Sequence, residues 1–217
     1  MISPYYDAGG IAIYHADCDD VLPQLGRLDC LLTDPPYGLG EHWRGTVGRT
    51  GIPGHGWGGT TAEMLAEARV WDAAPYARMG ELLASANEAI VWGGSYYAMP
   101  PSRCWLAWTK PPGMTTMADF ELAWTSFDRN AKSWAGARGV PGGREHLTQK
   151  PVKLMEWCIH MFGPGTIVDP FMGSGTTLVA AQSLGRRAIG IEISQRYCDI
   201  AVNRLRQCSL FGPEASE

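Results

Sequence analysis

Apolar positions in this chain gather into short dense runs, and stretches with helical spacing lie between them. Residues 11–17 (IAIYHAD) and 28–34 (LDCLLTD) read as strands, the second as one buried on both faces. Residues 89–94 (AIVWGG), 104–110 (CWLAWTK), 120–126 (FELAWTS), 166–169 (TIVD) and 186–193 (RRAIGIEI) read the same way. Helices are expected over 19–25, 61–70, 76–86, 151–162, 174–185 and 194–207. Pro151 suits a helix's first turn, where its missing N–H is no loss, and Gly185 suits a helix end. Residues 38–60, rich in glycine, read as a long loop, and 130–146 as irregular. Strands alternating with helices imply a mostly parallel sheet covered on both faces, a doubly wound α/β fold.

Composition narrows the class. A chain of 217 residues, 45% of them hydrophobic, can bury one substantial core. No apolar run approaches the ~20 residues that span a bilayer, and the N-terminus lacks the pattern of a signal peptide. The expected location is the cytoplasm. Six scattered cysteines with no C-x-x-C pair speak against a zinc site or a disulfide framework, and no metal is expected. The net charge of −4 is not that of a typical nucleic-acid binder, but the charges are unevenly placed. Between Arg103 and Lys153 the cations Lys110, Arg129, Lys132, Arg138, Arg144 and Lys150 outnumber the acids, and the 38–60 loop adds Arg44 and Arg49. This distribution is compatible with a basic face on an acidic protein, and equally with charges solvated at random.

Two stretches carry candidate chemistry. In LLTDPPYGLG (31–40), Pro35 and Pro36 fix φ and push the residues before them into extended conformations. Asp34 to Tyr37 therefore forms a stiff tip that presents a carboxylate, carbonyls and an aromatic ring. In VDPFMGSGTT (168–177), a strand ends at Asp169, a glycine turn follows through Gly173 and Gly175, and a helix begins. Such a helix start favours an anionic group. The lysine of a P-loop is missing, and G-x-G-x-x-G is not matched. Glu192 ends the next strand, where an acid can accept two ribose hydroxyls. A ligand with a ribose and a carboxylate, without phosphates, fits better than NAD.

The pair TDPPYG and VDPFMGSGTT, with EHLTQKP (145–151) ahead of the latter, resembles the S-adenosylmethionine-dependent amino-methyltransferases of DNA. The order of motifs is similar to their circularly permuted β group. One departure is Leu147, where the family's H-P-T-Q-K-P has proline. The resemblance implies a Rossmann-like, circularly permuted methyltransferase fold in one domain over 1–217. Its parts would be a catalytic half (1–110), a short target-recognition region (111–145), a cofactor-binding half (146–207) and a tail (208–217).

The resemblance also assigns roles. Asp34, Pro35, Pro36 and Tyr37 would be catalytic. The Asp34 carboxylate and the Pro35 carbonyl would accept the two N–H bonds of a base amine, and Tyr37 would stack on the base. Cofactor contacts would come from Asp17, Asp34, Thr148, Gln149, Lys150, Asp169, Phe171, Gly173, Ser174, Gly175, Thr176, Thr177 and Glu192, with Lys150 pairing the methionine carboxylate. Asp17 has a competing role as a helix N-cap, and Phe171 as a core aromatic. From their charge and aromatic character, rather than from the resemblance, Trp43, Arg44, Arg49, Lys110, Arg129, Lys132, Arg138 and Arg144 are expected to meet double-stranded DNA, with the 38–60 loop closing over it and the base flipped out; a disordered surface insertion is the competing reading of that loop.

The implied reaction is methylation of adenine N6 at specific sites, of the restriction–modification kind. Cytosine N4 methylation is the alternative, a non-catalytic DNA-binding subunit or a protein-glutamine methyltransferase a more distant one. A homodimer would suit a short recognition site. The tail RQCSLFG (206–212) resembles the peptide by which bacterial proteins dock on the replication sliding clamp, although a helix end packing Leu210 and Phe211 on the domain is the preferred reading.

Overall fold

The computed structural model describes residues 2–40, 62–110, 118–136 and 149–211, with side chains from 66 in the second segment and to 208 in the last. Nine strands form one sheet in the order β1-β2-β9-β8-β3-β4-β6-β5-β7. They are β1 (Tyr6–Ala8), β2 (Ile11–His15), β3 (Leu28–Thr33), β4 (Ala86–Trp92), β5 (Trp105–Thr109), β6 (Phe120–Thr125), β7 (Lys132–Ala135), β8 (Ile167–Asp169) and β9 (Ala188–Glu192). The five strands from β2 through β9, β8 and β3 to β4 run parallel, as expected. β6 is antiparallel to both β4 and β5, and β1 to β2.

Six helices were counted among the described residues: α1 (Cys18–Leu25), α2 (Ala62–Trp71), α3 (Met79–Ser85), α4 (Val152–Ile159), α5 (Thr176–Ser183) and α6 (Gln195–Phe211). None of them is long and apolar enough to cross a membrane. The strand alternation sorts the core onto two faces. Cys30, Leu32, Ile90 and Trp92 pack with Leu154, Cys158, Leu178 and Leu205 of α4, α5 and α6. Leu28, Leu31, Ala89 and Val91 pack with Met79 and Leu82 of α3. Consecutive residues of one strand are thus buried on opposite sides, and β3 is apolar from Cys30 to Leu32 for that reason.

Two elements differ from the sequence reading. Lys132–Ala135 forms the edge strand β7, paired with β5, inside the stretch read as irregular. Its side chains are mostly exposed, so no apolar run marks it; the pairing comes from the backbone. Strand β1 is likewise short and half-exposed and folds back on β2 across Gly9 and Gly10, both at positive φ. Pro151 sits one position earlier than expected, as the extended cap before α4.

Chain order and sheet order part company at the centre. β2, near the start of the chain, lies beside β9, its last strand, with Ile13 opposite Gly190. β8 pairs with β3, where Leu31 faces Val168. From β3 the chain proceeds to β4 on one side; from β8 it proceeds to β9 on the other. A doubly wound sheet opens a crevice at such a switch point, at the carboxyl ends of the strands. Asp34 and Asp169 both stand there.

Asp169 joins the two halves. Its carboxylate accepts the Thr33 hydroxyl at 2.9 Å, the Thr177 hydroxyl at 2.6 Å and the Phe171 N–H at 3.2 Å. The residue is 3% exposed. Burial pushes its carboxyl up to about 6 from 3.8, although these three bonds pull it down. A raised folded-state pKa means that the stabilising contribution is complete below about pH 3.8 and lost as the pH rises through about 6. Urea unfolding across that range should show the parent losing about 3 kcal/mol relative to Asp169→Asn, as a shift of about two units implies. Parallel pH curves for the two proteins would refute this account of Asp169.

Candidate active site

The stiff tip begins where β3 ends, and each part of it is held. The Tyr37 hydroxyl donates to Asp34 Oδ1. The Pro36 carbonyl accepts the Tyr97 hydroxyl, and Tyr97 follows the 3-10 helix Gly94–Tyr96 after β4. The Tyr37 ring stacks on Tyr96, with centroids 4.7 Å apart and planes 13° from parallel. Gly93, at φ 66°, allows this: a Cβ there would lie 2.0 Å from the Tyr37 ring. Burial, then the neighbouring Asp34 carboxylate, drives the Tyr37 hydroxyl well above its ordinary range, so it stays a donor.

The other oxygen of Asp34 accepts from Lys150 Nζ at 2.5 Å. Lys150 also lies 3.3 Å from Glu121 Oε2, and Lys110 pairs with Glu121 Oε1. The lysine side chains are 6% and 5% exposed. Burial alone would pull the Lys150 ammonium down, but Asp34 and Glu121 together outweigh it and the net shift is upward. For Glu121, burial pushes up, while Lys150 and Lys110 prevail and hold it below the usual range. Four charges of alternating sign, Asp34, Lys150, Glu121 and Lys110, thus sum to zero in a mostly buried row.

The glycine turn lies across the crevice. Glu192 Oε2 accepts the Gly173 N–H at 3.1 Å and its Oε1 the Ser194 N–H at 2.8 Å. Burial raises the Glu192 carboxyl. Arg204 of α6 anchors the turn from behind, donating to the Ser174 carbonyl at 2.6 Å and to the Ser174 and Thr176 hydroxyls at 3.1 Å. Gly175 caps α5 at φ 77°. A Cβ on Gly175 would fall 2.7 Å from that of Ala201. Asp17 caps α1, accepting the Asp19 N–H at 2.9 Å, so the competing role named for it is realised.

Between these parts runs a cleft of about 820 Å³. Asp34 and Pro36 line it, as do Asp17, Gln149, Lys150, Asp169 and Phe171. So do Gly173, Ser174, Thr176, Thr177 and Glu192. Pro35, Tyr37 and Gly175 do not; they hold the walls. Phe171 lines the cleft and packs edge-on against Tyr76, with ring centroids 5.0 Å apart. Lys150, assigned by the resemblance to a methionine carboxylate, has its ammonium between Asp34 and Glu121.

The residues expected to meet DNA are dispersed. Lys110 is buried in the charge row rather than on an open face. Arg129 donates to the Met161 carbonyl and lies 4.0 Å from Glu88, near the start of β4 and away from the Asp34 end. Lys132 is exposed on β7. Trp43, Arg44, Arg49, Arg138, Arg144 and Thr148 lie outside the described residues, as do the 41–60 part of the loop and the side chains of Leu210 and Phe211.

Sequence reasoning missed Glu121, Asp72 and the α2 wall of the cleft, made by Ala66, Glu67, Val70 and Trp71. Glu121 had one signal, a lone acid inside the apolar run FELAWTS. The α2 wall had none, since nothing local tells where that helix docks.

Known proteins place the geometry. M.ScaI, a type II methyltransferase of Streptomyces caespitosus, is 24% identical over 93% of this chain and 83% of its own length. M.HinfI of Haemophilus influenzae, also a type II methyltransferase, is 46% identical over a shorter stretch, 30% of this chain and 19% of that protein. Among solved structures, the M1.HpyAVI–SAM complex superposes with a TM-score of 0.54 at 23% identity, covering 90% of this chain and 98% of that one. The cytosine-N4-specific PvuII DNA methyltransferase superposes at 0.59 with 15% identity, covering 93% and 88%. These two likenesses show a shared fold. The sequence model of the DNA methylase family matches residues 69–203, more than half of the chain, and with the D-P-P-Y tip and the glycine turn meeting at one crevice the chain belongs to that family.

Proposed function

We propose that this DNA methylase transfers a methyl group from S-adenosylmethionine to the N6 amine of an adenine flipped out of double-stranded DNA. The observation that carries the reading is the convergence of Asp34 and the glycine turn on one cleft, with β3 and β8 as neighbours.

The cleft suits the donor. Its volume of about 820 Å³ is that of a site for a nucleoside-sized ligand. Each Glu192 oxygen spends one lone pair on an N–H and keeps another for a ribose hydroxyl. Phe171 offers a ring to the adenine, and the exposed Asp17 a carboxylate at the rim. When bound, S-adenosylmethionine supplies a methyl group made electrophilic by its sulfonium.

The chain's own residues act on the amine. An exocyclic amine is a weak nucleophile because its lone pair is delocalised into the ring. Asp34 and the Pro35 carbonyl, accepting its two N–H bonds, localise that lone pair toward the cleft. No strong base is required beforehand, since the methylated nitrogen is acidic and sheds its proton readily. Asp34 is held by Lys150, and Glu121 offsets the lysine's charge, so the neighbourhood does not repel the positive charge that grows on the amine. To meet the amine, Asp34 exchanges its bond to the Tyr37 hydroxyl for one to the base. The Tyr37 ring is then the platform for the base, in the place where Tyr96 now stacks. The choice of adenine rests on the resemblance: in that family Asp ahead of P-P-Y is commoner for adenine N6 and Ser for cytosine N4. Arg44, Arg49 and Lys132, with Trp43, Arg129, Arg138 and Arg144, are proposed for phosphate and groove contacts.

The first test incubates the protein with methyl-labelled S-adenosylmethionine and unmethylated plasmid, then analyses nucleosides by mass spectrometry. Label is expected in N6-methyladenine and should fall by at least about 100-fold for Asp34→Ala. Label in N4-methylcytosine would keep the mechanism and change the base; unlabelled DNA would remove the reading. A second test separates ring from hydroxyl. Tyr37→Ala should weaken productive DNA binding by roughly 10- to 100-fold, the worth of one stacked base, and Tyr37→Phe by no more than about threefold. Equal losses would show that the hydroxyl, not the ring, does the work.

A further inference from the structure

Helix α2 ends in Trp71, and the next residue, Asp72, is 1% exposed. Its carboxylate gathers three successive backbone N–H groups of the acceptor loop: Tyr37 at 2.5 Å and Gly38 at 2.8 Å on Oδ1, and Leu39 at 3.2 Å on Oδ2. Its main-chain carbonyl accepts a fourth, from Gly40 at 2.8 Å. The fit is close, since a Cβ on Gly40 would lie 2.8 Å from the Arg69 carbonyl and one on Gly38 would lie 2.5 Å from Pro75. Consecutive N–H groups converging on one carboxylate form an anion nest. Here the anion belongs to the protein itself.

The middle of α2 is also fixed. Glu67 accepts from Arg196 Nη1 at 2.7 Å and from the Tyr197 hydroxyl at 3.2 Å, both at the start of α6. Glu67, Val70 and Trp71 line the donor cleft. One helix therefore touches the donor site with its side chains and the acceptor loop with the carboxylate that follows it.

We propose that Asp72 is the positioning residue of the acceptor loop: its carboxylate, gripping the N–H groups of Tyr37, Gly38 and Leu39, sets the place of the D-P-P-Y tip relative to the donor cleft that α2 walls. It does not touch the reacting atoms. It acts through Tyr37 and through the register of Asp34 and Pro35. The proposal rests on the reading of this site as a methyl-transfer centre. Asparagine is the informative replacement, because its carbonyl oxygen can still receive Tyr37 and Gly38 while its NH₂ meets the Leu39 N–H, donor against donor.

For Asp72→Asn, kcat for DNA methylation should fall by about 100-fold, the scale of a misplacement of about 1 Å. Binding of S-adenosylmethionine, which Asp17, Phe171 and Glu192 would hold, should stay within about threefold of the parent. Amide hydrogen exchange should quicken at Tyr37, Gly38 and Leu39 and stay unchanged in β3 and β8. An unchanged kcat per donor-binding site, or faster exchange spread over the whole sheet, would overturn the proposal. If the variant does not fold, the parent decides alone. Its Tyr37–Leu39 amides should be protected when free, and more so with saturating S-adenosylhomocysteine, and exchange at unprotected-loop rates would overturn it. A parent that methylates no DNA sinks the functional reading, while these amides still report whether Asp72 holds the loop.

Discussion

The hydrogen bond from Thr33 to Asp169 is the constraint on which the rest of this structure depends. It ties the last residue of β3 to the last residue of β8, two strands that are far apart in the chain and adjacent in the sheet. Asp34 follows the first, and the glycine turn follows the second. With these strand ends in register, the D-P-P-Y tip and the glycine turn face one cleft. The bond is buried, and Asp169 is further satisfied by Thr177 and the Phe171 N–H. A buried carboxylate costs least when each oxygen has a donor, and here the donors come from β3, the turn and α5.

Charge is managed the same way around Asp34. Lys150 restrains its carboxylate, and Glu121 and Lys110 keep the row neutral. The row joins the ends of β3 and β5, β6 and the approach to α4, so the Asp34 carboxylate is braced by the antiparallel end of the sheet as well as by its own strand. The aromatic ring follows the same logic of support from outside the tip: Tyr37 lies on Gly93 and Tyr96, and Tyr97 grips the Pro36 carbonyl.

Much of this was legible in the residues. The strands β2, β3, β4, β8 and β9 and the helices between them show as apolar runs and helical spacings, because burial on both faces leaves a dense signature. The two motifs were legible because prolines and glycines constrain a backbone wherever they stand. The strands β1 and β7 were not, since edge strands with exposed side chains carry no pattern. Glu121 and Asp72 were not assigned roles. An acid in an apolar strand and an acid after a helix say nothing about which distant cation or N–H they meet.

The fold class, the stiff D-P-P-Y tip, the glycine turn before α5 and the acid at the end of β9 could all be read from the residues, because local backbone chemistry and the period of the apolar positions set them. Only the tertiary structure decided that Lys150 and Lys110 turn inward to Asp34 and Glu121, that Asp169 is consumed by internal bonds, and that α2 walls the cleft while Asp72 clamps the loop. Those outcomes depend on which groups the folded chain brings within about 3 Å of one another. A charged or polar group in a low-dielectric interior takes whatever partner the packing supplies, and its neighbours in sequence do not name that partner.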